Sequence, residues 1–153
     1  MFLIEDFVVY YMYERKYFTL HRKAKDMSIV NRAIKYRLYP TKEQEIFFAK
    51  TFGCVRKVYN LMLSDKIASY QNTGEPCKVT PAMYKEKYPF LKEVDSLALA
   101  NAWMNLQAAF SNFFGRKRKK KNGFPRFKSF KRSKRAYTTN NKDGTIAILK
   151  GFY

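Results

Sequence analysis

Residues 116–135 hold twelve Lys/Arg and no Asp or Glu, and no close-packed interior accepts such a stretch. It must stay at the surface, so the folded part of the chain is built from what precedes it and from a short tail after it. The change at Gly115 is abrupt. Before it, apolar residues recur at helical spacing; after it, Phe124, Phe127 and Phe130 break the cations at every third residue, around Pro125. The formal net charge of +19 is carried largely by this stretch. Each phosphate that a Lys or Arg neutralises releases condensed counterions, so the stretch is expected to bind nucleic acid in a salt-sensitive, sequence-indifferent way. Its cations are Arg116, Lys117, Arg118, Lys119, Lys120, Lys121, Arg126, Lys128, Lys131, Arg132, Lys134 and Arg135. The three Phe residues are expected to anchor it to the core rather than to stack on bases.

The remaining residues can make a core. The chain is 46% hydrophobic, with 14 Phe and 12 Tyr, enough apolar material for one packed domain. From Asn31 to Tyr39 apolar and basic residues alternate, which predicts a strand with Ile34, Tyr36 and Leu38 on one face and Lys35 and Arg37 on the other. Pro40 stops it. Thr41 and Gln44 have capping-box spacing, so a helix is expected through Ile46, Phe47 and Phe48, ending at Gly53. A second helix is predicted from Cys54 to Asn72 on Val55, Val58, Tyr59, Met62, Leu63 and Ile67, closed by the turn cluster around Gly74 and Pro76. Thr80-Pro81 opens a short helix that ends before Tyr88-Pro89. The clearest helix starts at Asp95 or Ser96 and runs to Phe114, with Trp103, Phe110, Phe113 and Phe114 assigned to the core. A hairpin is expected over 136–149, turning at Asp143-Gly144.

Catalytic chemistry is not legible in these residues. Twelve Asp/Glu are scattered, and only Asp143 follows Asp95. Glu93 and Asp95 are close neighbours, but their place at a helix start points to capping rather than to metal-assisted phosphoryl transfer. Cys54, Cys77 and a lone His21 are too few and too far apart for a zinc site, so no metal or other cofactor is expected and both thiols are read as reduced. The apolar run at residues 1–12 is too short to span a membrane and lacks a signal-peptide pattern; a cytoplasmic protein with no membrane partner is expected. Residues 1–27 read as a leader or extension before a second start at Met27. The two helices flanking Phe52-Gly53-Cys54 have a helix-turn-helix outline that many non-binding helix pairs share. Arg56 and Lys57 are therefore left open between base edges and phosphates.

Several segments resemble one known family. Asn31-Arg32-Ala33-Ile34-Lys35-Tyr36-Arg37-Leu38-Tyr39-Pro40, Thr51-Phe52-Gly53-Cys54-Val55-Arg56-Lys57-Val58-Tyr59-Asn60, Leu91-Lys92-Glu93-Val94-Asp95-Ser96-Leu97, and Gly123-Phe124-Pro125-Arg126-Phe127-Lys128 leading to Tyr137-Thr138-Thr139 follow one another as in TnpB proteins, the OrfB products of insertion sequences. The resemblance implies the front part of an RNA-guided DNA nuclease, with the RuvC-like catalytic domain and zinc ribbon beyond Tyr153. It implies an α+β fold: an incomplete small wedge-like β-barrel with an inserted bundle of three to four helices. Its divisions would be a first wedge strand at 28–40, a helical recognition region at 41–115, the basic segment at 116–135 and truncated wedge strands at 136–153. Its partners would be a transposon-derived guide RNA and duplex DNA, held without cutting. Positions implied for reading a DNA motif are Thr80, Ser96 and Asn101, beside Lys78; Arg126, Lys128 and Tyr137 would lie near RNA. Two other readings stand beside this one, an independent helix-turn-helix regulator of transposition and a non-functional transposon remnant.

Overall fold

The structure, a computed structural model, describes residues 12–16, 30–34, 39–115, 123–133 and 135–139. The chain divides into two compact units, 1–41 and 42–153. In the first, β1 (Met12–Lys16) pairs antiparallel with β2 (Val30–Ile34), in a register that sets Met12 opposite Ile34 and Lys16 opposite Val30. β2 falls within the strand predicted from the alternation, while Lys35 and Arg37 lie outside the described residues.

The second unit is helical. It consists of α1 (Lys42–Thr73), a 3-10 turn (Pro81–Met83), α2 (Tyr84–Lys87), a second 3-10 turn (Pro89–Glu93) and α3 (Ser96–Phe114). The α+β reading, an incomplete barrel around inserted helices, is overturned. No strand occurs among the described residues of this unit, and a single two-stranded pair elsewhere cannot close a barrel. Residues 136–139, expected to begin a strand, are irregular. Their polar groups turn to a helix instead, the Thr139 hydroxyl donating to the Asp95 carboxylate. The rest of the expected hairpin, residues 140–149, lies outside the described residues.

The predicted break at Gly53 is also absent, because α1 runs through it for 32 residues. The apolar stripe explains why. Phe52, Val55, Val58, Tyr59, Met62 and Leu63 continue at three- and four-residue steps across Gly53, and all are buried. Glycine in a helix interior costs about 1 kcal/mol relative to alanine, less than what burying such a stripe contributes. The true stop is Gly74, whose φ of 73° is the left-handed conformation of a helix end and whose N–H donates to Tyr70 O at 2.9 Å. A Cβ at Gly53 would meet nothing within 4 Å. Gly53→Ala is therefore expected to stabilise the protein by about 1 kcal/mol, raising the thermal midpoint by about 4 °C. A glycine-dependent turn at 52–54 would make the same substitution destabilising.

α3 begins as predicted. The Asp95 carboxylate accepts from Leu97 N–H at 2.8 Å, taking one of the donors that the first turn leaves unsatisfied. Val58, Met62 and Leu63 of α1 share the core with Leu99, Ala102 and Leu106 of α3, together with Val79, Leu91 and Val94 from the connection. Trp103 and Phe110 pack against this core, but Phe113 and Phe114 do not join it. Both stay exposed at the end of α3, where they pair with each other and Phe113 meets the Phe124 ring. No helix among the described residues is long and apolar enough to cross a membrane.

Candidate nucleic-acid interface

After the basic run the chain returns to α1, and the contact that fixes it there is an asparagine. Asn60 Nδ2 donates to Lys128 O and Lys128 N–H donates to Asn60 Oδ1, both at 2.8 Å. An amide side chain that pairs with both backbone groups of one residue sets that residue's position and direction together. Two more contacts extend the attachment: Tyr137 packs its ring 5.7 Å from that of Phe52, and Thr139 bonds Asp95. Within the segment, Ser129 and Ser133 close a tight turn through Ser133 N–H to Ser129 O at 2.9 Å. Pro125 is buried in the same segment.

Two cations of this segment, and Arg56 of α1, lie over aromatic rings. Lys128 Nζ lies 4.3 Å from the centre of the Tyr59 ring, and burial pulls its pKa below the ordinary lysine value. The Arg56 and Arg135 guanidinium carbons lie 5.4 and 4.6 Å from the centre of the Phe130 ring. Guanidinium groups placed over an aromatic face keep their charge while losing freedom, which lowers the entropy cost of gripping an anion. Arg126, Lys131 and Arg132 are exposed on the same segment.

The structure thus brings Arg56, Lys128, Arg135 and Tyr137 together, although they span 82 positions of sequence. Lys57 diverges from its neighbour, with Nζ 5.3 Å from the Tyr88 ring. Lys78 and Thr80 are exposed in the connection, where Thr80 precedes Pro81 without a side-chain cap bond. Ser96 Oγ accepts from Lys85 Nζ at 2.8 Å. Asn101 is only 7% exposed and donates to Leu97 O in its own helix at 2.9 Å, so its amide is engaged internally. Residues 116–121 and Lys134 lie outside the described residues. Glu93 pairs with Lys50 and Asp95 caps α3, which gives both acids structural partners.

Two of the interleaved Phe residues, Phe124 and Phe130, act as anchors at the surface rather than in the core. Phe124 meets Phe110 and Phe113 edge-on at 5.7 and 5.3 Å, and Phe130 lies against the two arginines. Phe127 is 57% exposed. Sequence reasoning missed Asn60 and Tyr59 as organisers of this surface. Tyr59 was read only as part of the apolar stripe, and no local pattern links Asn60 to a residue 68 positions away.

Comparison with known proteins finds relatives over most of the chain. Residues 27–75 match the helix-turn-helix domain of OrfB proteins from IS605-type insertion sequences. Within that match, residues 42–73 form the unbroken α1. The chain is 39% identical over 137 residues to a Streptomyces pristinaespiralis protein named "Putative RNA-guided DNA endonuclease", covering 79% of this chain and 33% of that protein. It is 40% identical over 111 residues to virulence protein VsdF of Salmonella dublin, covering 63% of this chain and 92% of that protein. The chain thus spans a third of the length of its Streptomyces relative and nearly all of its Salmonella one. It belongs to the TnpB/OrfB family of insertion-sequence proteins, whose N-terminal, nucleic-acid-binding region it represents.

Proposed function

We propose that this protein holds a structured RNA transcribed from its own transposon end, together with the DNA that this RNA pairs with, and that it clamps both without cutting either. The reading is supported chiefly by the basic segment fastened to α1 by Asn60, with Arg56, Lys128 and Arg135 fixed against aromatic rings. Cations pre-positioned in this way suit a folded backbone of closely spaced phosphates, which a mobile basic tail would grip at greater entropic cost. The name of the Streptomyces relative adds the RNA-guided element. Strand cutting is assigned to the part of such longer proteins with which this chain does not align.

The test is to produce the full chain beside its own transposon end, purify it through a high-salt wash and nuclease treatment, and sequence what remains bound. A discrete RNA that maps to the transposon end is expected. Mixed cellular nucleic acid, or duplex DNA held without RNA, would overturn the guide-RNA reading and leave a general basic binding module.

A further inference from the structure

Between α1, α3 and the returning segment there is a cavity of about 390 Å³. That lies at the small end of the range for ligand pockets, about 300–1,000 Å³. Its walls combine two kinds of surface. Val55, Ala98 and Ala102 give it an apolar side built of small residues, and Tyr137 adds an aromatic wall. Asn105 and Thr138, both exposed, supply polar groups at its edge. The Asn105 amide makes no hydrogen bond among the described residues, and its donor and acceptor are exposed at the edge of the cavity.

The position of the cavity indicates what would enter it. Lys128 lines it, and an adjoining hollow that shares Val55, Lys128 and Ser133 is lined by Arg56 and Arg135. A strand whose phosphates lie on those two arginines would therefore pass the mouth of a space with apolar walls and an amide at its edge. Unpaired nucleotides are recognised through this combination: the base leaves the stack, rests on an apolar or aromatic wall and bonds a side-chain amide by its edge, while the backbone stays on the cations.

We propose that this cavity receives one unpaired nucleobase of a bound strand, with Asn105 bonding the edge of the base. The inference rests on the nucleic-acid-binding reading above and adds a site that distinguishes bases from phosphates. A base supplies the shared chemistry whether the strand is RNA or DNA, so both are tested.

The experiment measures binding of the full chain to single-stranded oligomers of about eight nucleotides, in RNA and DNA versions, each with an abasic unit moved through the sequence position by position. An abasic unit removes a base and keeps its phosphate. One position is expected to cost about tenfold in affinity, within the range measured for single stacked bases, while the others cost less than about twofold. Asn105→Ala is expected to weaken the intact oligomer and to reduce the penalty at that position, because the bond to the base edge is lost while the apolar and aromatic walls remain. The dependence on salt should not change, because no phosphate contact is lost. A penalty in RNA alone, or in both series, identifies the strand that enters. Tight binding with no sensitive position in either series would overturn the pocket and leave the general binding reading intact. Failure to bind any oligomer by a chain that still binds a structured RNA would overturn the pocket alone, and failure to bind either would overturn both. The abasic series on the unmodified chain requires no variant to fold.

Discussion

Replacing Arg126, Lys131, Arg132 and Arg135 together by glutamine is expected to flatten the salt dependence of nucleic-acid binding. All four are exposed on the segment that Asn60 fastens to α1. If each meets one phosphate, the slope of log K against log salt should fall by about 3.6 on duplex DNA and by about 2.8 on a single strand. Between 50 and 200 mM salt that corresponds to about a hundredfold less change in affinity on duplex DNA. Glutamine retains length and polarity, so the fold should survive; Arg135 gives up its place over the Phe130 ring, where Arg56 remains. Titration of a labelled duplex and a labelled RNA at four salt concentrations measures both slopes. An unchanged slope would show that these cations do not meet phosphates and would move the interface elsewhere on the molecule.

The largest effect on stability is expected from Leu63→Ala. Leu63 is fully buried on α1 within the core that α1 and α3 share. Truncating a leucine in such a site removes its transfer free energy and leaves a cavity, for a loss of about 2–5 kcal/mol. Domains of this size are stable by only about 5–15 kcal/mol, so the thermal midpoint should drop by on the order of 10 °C. Phe127→Ala serves as the comparison. Its ring is larger but 57% exposed, and a change within about 0.5 kcal/mol is expected. Denaturant unfolding of the two variants separates the cases. If Leu63→Ala lost no more than Phe127→Ala, the packing of α1 on α3 would be wrong.

Asp95 and Gly74 show what could be read without a fold. A carboxylate before an apolar run starts a helix because it can accept one of the orphan N–H groups, and a glycine after such a run stops one because only it adopts positive φ cheaply. Both features are local, and both are found in the structure. The charge of residues 116–135 is a property of composition, and it pointed to nucleic acid before any contact was known.

Gly53, Phe113 and Asn60 show the opposite. Gly53 carries the same local signal as Gly74, but the buried stripe on either side of it carries α1 straight through. Phe113 and Phe114 follow the periodicity of α3, but helical spacing does not say what will cover them, and both stay exposed. The strand expected over 136–140 was predicted from residue types, while residues 136–139 bind instead to Phe52 and Asp95 through Tyr137 and Thr139. Asn60 is an ordinary polar residue on a helix until the chain folds back 68 positions later and presents the backbone of Lys128 to it. The sequence by itself thus determined the cap at Asp95, the stop at Gly74, the basic character of residues 116–135 and the family. Tertiary structure decided where α1 ends, which aromatic rings are covered and how the cations are arrayed, because each of these depends on the free energy of contacts between residues distant in the chain.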